Sequence, residues 1–159
     1  MEKQKDQRQK RSFFKKHPRV DTQVQTLINR IEENLRESLE PMIIHDLNSF
    51  QRKQIYEKFE KSLEFKIKTY REQDQSIIKV YPVGKLRRLA EMKAQEVLMK
   101  GEEEDLPPMG SYERFVIHDY LKDREGIKTE SFGEGKERHI KLLPIFGRTP
   151  KKAKRKLTR

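Results

Sequence analysis

Arg114, His118 and Lys122 recur at four-residue spacing within Leu106–Asp123, LPPMGSYERFVIHDYLKD. On a helix such residues lie one above another, so the three form a cationic row along one edge. An arginine fork matches phosphate oxygens bidentately, and a histidine one turn on adds a donor or, when neutral, a stacking surface. Phe115 lies on the outer side of the row, where it stacks a nucleobase or packs under the basic C-terminal residues. The bland alternative is a surface arginine beside a histidine that caps a core edge. The rival from another class is acid–base chemistry on a phosphodiester by His118 with Glu113 or Asp119. Against it, the sequence has no carboxylate cluster for paired metals, no P-loop and no nucleophile elbow, and His17, His45 and His139 lack metal-ligand spacing.

The elements that would position this row follow from local rules. Pro107 and Pro108 end any upstream helix, and Ser111 suits an N-cap, so a helix is predicted to start near Ser111 with Val116, Ile117, Tyr120 and Leu121 on its apolar arc. Before it, a helix over Lys85–Lys100 stops at Gly101. The acidic run Glu102–Asp105 then holds either a short edge strand or a solvated loop. After it, strands over Ile127–Phe132 and Arg138–Leu143 flank a Gly133-Glu134-Gly135 turn.

Arg114-x-x-x-His118, preceded by LPPM and SYE and followed by TESFGEG and a short basic strand, resembles the R-3-H domain. The resemblance covers roughly Lys85 to Leu143 and is nearest to the C-terminal domain of bacterial Jag-type, sporulation-associated proteins. It implies a small α+β fold, helices packed on a small antiparallel sheet, that binds single-stranded nucleic acid through Arg114 and His118 without metal or cofactor. Lys122, Lys128, Lys136, Arg138 and Lys141 then extend a path for the backbone, with ordinary surface charge as the alternative for each. Phe115 is a departure, since these proteins often carry a second basic residue after the arginine.

The upstream half shows a related order. Asp21 or Thr22 can cap a helix through Glu40 with Val24, Leu27, Ile28, Ile31, Leu35 and Leu39 on one face, and Pro41 ends or kinks it. Asn48 or Ser49 can cap a second helix to about Lys61. Leu63–Tyr70 and Ser76–Tyr81 then form a hairpin about a polar turn. At a separation of 62, residues 49–84 share eight identities with residues 111–146, among them Arg52 with Arg114 and Ile55 with Ile117. LEPM at Leu39–Met42 also echoes LPPM at Leu106–Met109, with residues inserted before Ser49. The expectation is a tandem duplication whose first copy has lost the signature, since Tyr56 stands where His118 does. Arg52 and Tyr56 retain the means to contact a phosphate and stack a base, but a scaffolding role is preferred for this copy. A functional KH domain is not expected here, because no GxxG spacing occurs.

With 159 residues, 33% hydrophobic and 40% charged, the chain can bury one or two small cores. It has no cysteine, which removes thiolate metal sites, disulfides and cysteine nucleophiles. Its apolar runs are too short for a signal peptide or a membrane span, so a cytosolic or nuclear location is expected, the basic N-terminal cluster leaving nuclear localisation open, with cytoplasmic preferred. Residues 1–19 carry eight basic and two acidic side chains, and residues 148–159 seven basic and none. Of the net +11, these ends supply +13 and residues 20–147 carry −2. Nonspecific attraction for phosphate therefore belongs to the ends, and the body must act through local geometry.

The organisation expected is a disordered basic arm at 1–19, an α+β unit at 20–84 as a degenerate R-3-H-like repeat, an R-3-H domain at 85–147 and a disordered basic tail at 148–159. The function expected is non-catalytic binding of single-stranded nucleic acid, RNA in preference to DNA, by a bacterial RNA-binding regulator with no cofactor or metal. The alternatives are a nuclease and a protein-interaction adaptor whose 21–40 helix docks a partner or a second copy.

Overall fold

Apolar residues at three- and four-residue spacing bury one face of helix α1, Thr22–Glu37, through Val24, Ile28, Ile31 and Leu35. The computed structural model describes residues 22–72 and 75–145; the expected basic arm and tail lie outside them. Helix α1 stops three residues short of the expected Glu40, because a residue before proline, here Glu40, is driven out of the helical region. Its apolar face is occupied by its own core, packed with Ile44, Ile55, Phe59, Ile78 and Val80. That face is taken up by packing within the unit, and the polar positions of α1 between these residues stay on the surface.

Strand β1, Met42–Ile44, follows and has no counterpart among the expected elements: three residues after a proline are too few to show a period. Helix α2, Ser49–Phe59, is capped by Asn48, whose side chain accepts from Gln51 N at 2.9 Å while Gln51 Oε1 accepts from Asn48 N at 3.2 Å. Strands β2, Lys66–Glu72, and β3, Gln75–Tyr81, complete a first set. The second set is α3, Val83–Lys100, β4, Glu104–Asp105, α4, Ser111–Leu121, β5, Ile127–Phe132, and β6, His139–Pro144. A 3-10 turn, Gly135–Glu137, lies in the last hairpin. Gly133 there has φ +79°, and a Cβ on it would sit 2.8 Å from the Glu137 carbonyl oxygen, so the turn requires glycine.

Both sets run α-β-α-β-β, and both form an antiparallel sheet with the last strand central, in the orders β1-β3-β2 and β4-β6-β5. The register agrees at the same separation of 62. Ile67 opposes Val80 as Thr129 opposes Leu142, Thr69 opposes Ile78 as Ser131 opposes Ile140, and Met42 opposes Val80 as Glu104 opposes Leu142. The separation thus holds back through β1, with no insertion before Ser49. The LEPM–LPPM echo is out of register, since Pro41 precedes β1 whereas Pro107 and Pro108 follow β4.

Equivalent positions fill both cores: Val24 and Leu86, Leu35 and Val97, Ile55 and Ile117, Val80 and Leu142 are all buried. Each such side chain contributes roughly 1.5–3 kcal/mol of burial. Two positions change chemistry in a matched way. Ile31 and Met42 of the first set become Lys93 and Glu104 of the second, whose Nζ–Oε1 distance is 2.7 Å.

Only Pro82 separates β3 from α3. Across this junction Gly84 N donates to Glu64 O at 2.9 Å, Arg88 grips both Glu64 carboxylate oxygens at 2.9 and 2.8 Å, and Lys85 Nζ donates to Arg36 O at the end of α1 at 2.9 Å. Tyr81, the last residue of β3, is buried in the second core. Its hydroxyl lies 2.9 Å from that of Tyr70, and its ring meets Tyr112 of α4 edge-on at 4.5 Å. Lys68 Nζ sits 3.7 Å from the centre of the same Tyr112 ring. Through Lys68 and Tyr81 the open face of the first sheet meets α4 at Tyr112.

Candidate nucleic-acid interface

Helix α4 starts at Ser111 as expected, but its N-cap is Gly110, in extended conformation at φ −66°, ψ 169°. Ser111 is the first helical residue, so its hydroxyl is free of capping and accepts from Arg114 Nη2 at 3.2 Å. Arg114 Nη1 donates to Met109 O at 2.6 Å. That carbonyl is itself fixed, because Leu106 N donates to Ile140 O at 2.8 Å and Met109 N to Arg138 O at 3.1 Å. The prolines between them have no N–H to satisfy. These two bonds use one N–H on each terminal nitrogen, and a guanidinium carries five, so the fork is oriented with donors still available to a ligand.

His118 is held by β5. Its Nδ1 lies 2.7 Å from Thr129 Oγ1 and its Nε2 3.0 Å from Ser131 Oγ. Both ring nitrogens are committed to hydroxyls, which leaves the face of the ring as its contact surface. Neither Glu113, buried on the other arc of the helix, nor Asp119, paired with Lys122 at 2.9 Å, is among its hydrogen-bonding partners. The acid–base arrangement weighed from the sequence is therefore not assembled. Among the described residues no three His, Asp or Glu side chains group to hold a metal.

Burial, and then the Arg114 cation, hold the His118 pKa below its ordinary 6.5. The remaining neighbours at the ring, two hydroxyls, are neutral. A lowered folded-state pKa means that, as pH falls through the unfolded value, the unfolded chain takes the proton first and stability drops. Urea unfolding at about pH 7.5 and about pH 5.5 is expected to show a larger loss for the native chain than for His118→Asn. Equal losses would remove His118 as the cause.

The other residues expected at the site divide. Phe115 is 60% exposed and stacks against Tyr112 with centroids 6.1 Å apart, presenting an open ring beside the row. Lys122 is on the same edge, ion-paired to Asp119. Lys136 lines a cleft together with Arg114, Gly110, Leu39 and Pro41, and Arg138 precedes β6 with its carbonyl fixing Met109. Lys128 and Lys141 are not brought there. Strand alternation sends Thr129 and Ser131 toward α4 and Lys128 and Glu130 to the opposite face. On that face Lys128 pairs with Glu130, and Lys141 pairs with Glu103 at 2.8 Å and Asp105 at 3.7 Å. Thr129 and Ser131 themselves escape the sequence reading. The available signal is two hydroxyl residues at alternate, helix-facing positions of a short strand.

The family model for the R-3-H domain matches residues 84–144, from the first turn of α3 to the end of β6. No curated protein matches the chain. R-3-H domains are generally associated with single-stranded nucleic acid and are generally non-catalytic. No helix among the described residues is long and apolar enough to cross a membrane.

Proposed function

We propose that this chain is a non-catalytic binder of single-stranded nucleic acid, RNA in preference to DNA, acting in the cytoplasm as an RNA-binding regulator of the bacterial Jag type. The observation that carries this reading is the preset Arg114 fork beside the His118 ring, on an exposed edge of a segment that matches the R-3-H family. Arg114 takes a backbone phosphate. His118 and the exposed Phe115 ring offer faces for unstacked bases, which only a single strand supplies. Lys122, Lys136 and Arg138 lengthen the basic edge. Lys128 and Lys141, committed to carboxylates on the far face, stand outside this edge.

The working divisions follow the same reading: two R-3-H-like units from an internal duplication, with basic ends that raise the association rate and supply nonspecific affinity. The constant separation of 62 in strand register supports the duplication. Fluorescence anisotropy of labelled single-stranded RNA, single-stranded DNA and duplex against the full chain tests the function. Single strands are expected to bind at least tenfold tighter than duplex, about 1.4 kcal/mol. Equal affinities would reduce the protein to a charged-tail binder.

A further inference from the structure

The contacts that hold the Arg114–His118 pair recur in the first unit. Arg52 Nη2 donates to Ser49 Oγ at 3.2 Å, as Arg114 Nη2 does to Ser111 Oγ at 3.2 Å. The Tyr56 hydroxyl is hydrogen-bonded to Thr69 Oγ1, as His118 Nε2 is to Ser131 Oγ. Thr69 and Ser131 occupy the same register, opposite Ile78 and Ile140. The histidine has therefore been replaced by a ring of another kind, hung from the same hydroxyl position of the same strand. A tyrosine anchored by its hydroxyl keeps its ring in place as a stacking surface. Interleaved aromatic and basic side chains of this kind are how single strands are held without sequence readout.

The two sites are also joined. Strand β2 is an edge strand in the order β1-β3-β2. Thr69 on one of its faces meets Tyr56, and Lys68 on the other lies over Tyr112, which stacks on Phe115 one turn from His118. The edge of β2 is thus flanked by one site on each side.

We infer that the first unit carries a second grip for single-stranded nucleic acid, in which Arg52 takes a phosphate and Tyr56 stacks a base, joined over the edge of β2 to the Arg114–His118 site as one track. This rests on the function proposed above and assigns the first unit more than a scaffolding role.

The test uses the full chain and single-stranded RNA of roughly 16 nucleotides, the upper end of what one single-strand module covers. Arg52→Glu, Arg114→Glu and Lys128→Glu make the same change in net charge at the proposed grip, the first-described site and the far sheet face. Arg52→Glu is expected to weaken binding about tenfold and to lower the log–log salt slope by about 0.7 or more, one phosphate contact, while Lys128→Glu changes little. Arg52→Gln, which keeps a hydrogen-bonding side chain, reads the same loss if the reversal disturbs α2. Binding unchanged by Arg52→Glu but weakened by Arg114→Glu overturns the second grip and leaves the proposed function standing. Equal weakening by Lys128→Glu overturns it as well, by making the effect one of net charge. Binding unchanged by all three overturns both readings.

Discussion

Replacing Tyr81 by alanine is expected to lower the unfolding free energy by about 3–5 kcal/mol, the range for truncating a large buried aromatic side chain. Tyr81 belongs by chain to the first unit and by burial to the core of the second. Its removal leaves a cavity against Tyr112 and takes the partner from the Tyr70 hydroxyl. The loss should therefore fall on the coupling between the units, and a single urea transition should split into two or broaden. Tyr81→Phe keeps the ring and removes only the Tyr70 hydrogen bond, with an expected cost of about 0.5–1.5 kcal/mol. A loss under about 1 kcal/mol for the alanine variant would show that the seam is not a packed interface.

The second large effect is expected on binding. Arg114→Ala should weaken single-stranded RNA about ten- to hundredfold, which is the roughly 1.5–3 kcal/mol of a hydrogen bond to a charged group expressed as affinity. Anisotropy titrations read the change, with circular dichroism to confirm that α4 persists. Because Arg114 also bonds Met109 O and Ser111 Oγ, its loss frees the segment before the helix. Part of the effect should then appear as faster dissociation from a less ordered site. An unaltered affinity would leave the arginine idle and move the site elsewhere on the protein.

Much of this arrangement is legible in the residues themselves. The apolar spacing of Val24, Ile28, Ile31 and Leu35 identifies α1, the prolines and glycines punctuate the second unit, and the Arg114–His118 spacing places both side chains on one edge. What escapes has a physical reason in each case. Strand β1 is three residues long and carries no period, while β4, Glu104–Asp105, lies in an acidic run whose charge leaves a short edge strand and a solvated loop both open. Lys128 and Lys141 look like neighbours of the site because strand parity alone decides which face a residue takes. Ile31 and Lys93 occupy one structural position, yet their likeness is hidden because a buried apolar side chain in one unit stands where one arm of an ion pair stands in the other. Tyr81 reads only as the last residue of a hairpin strand until the second unit is seen to close over it.

The single-residue junction at Pro82 has a consequence for how a ligand would be measured. Proline fixes its own φ, and the clamp of Glu64 by Gly84 and Arg88 closes the same corner. Two grips on such a frame keep a constant separation, so engagement of one sets the local concentration at which the next stretch of the same strand meets the other. Strands too short to span the two sites gain nothing from this, and strands that just span them gain most. The protein would then discriminate among single strands by length before it discriminates by sequence.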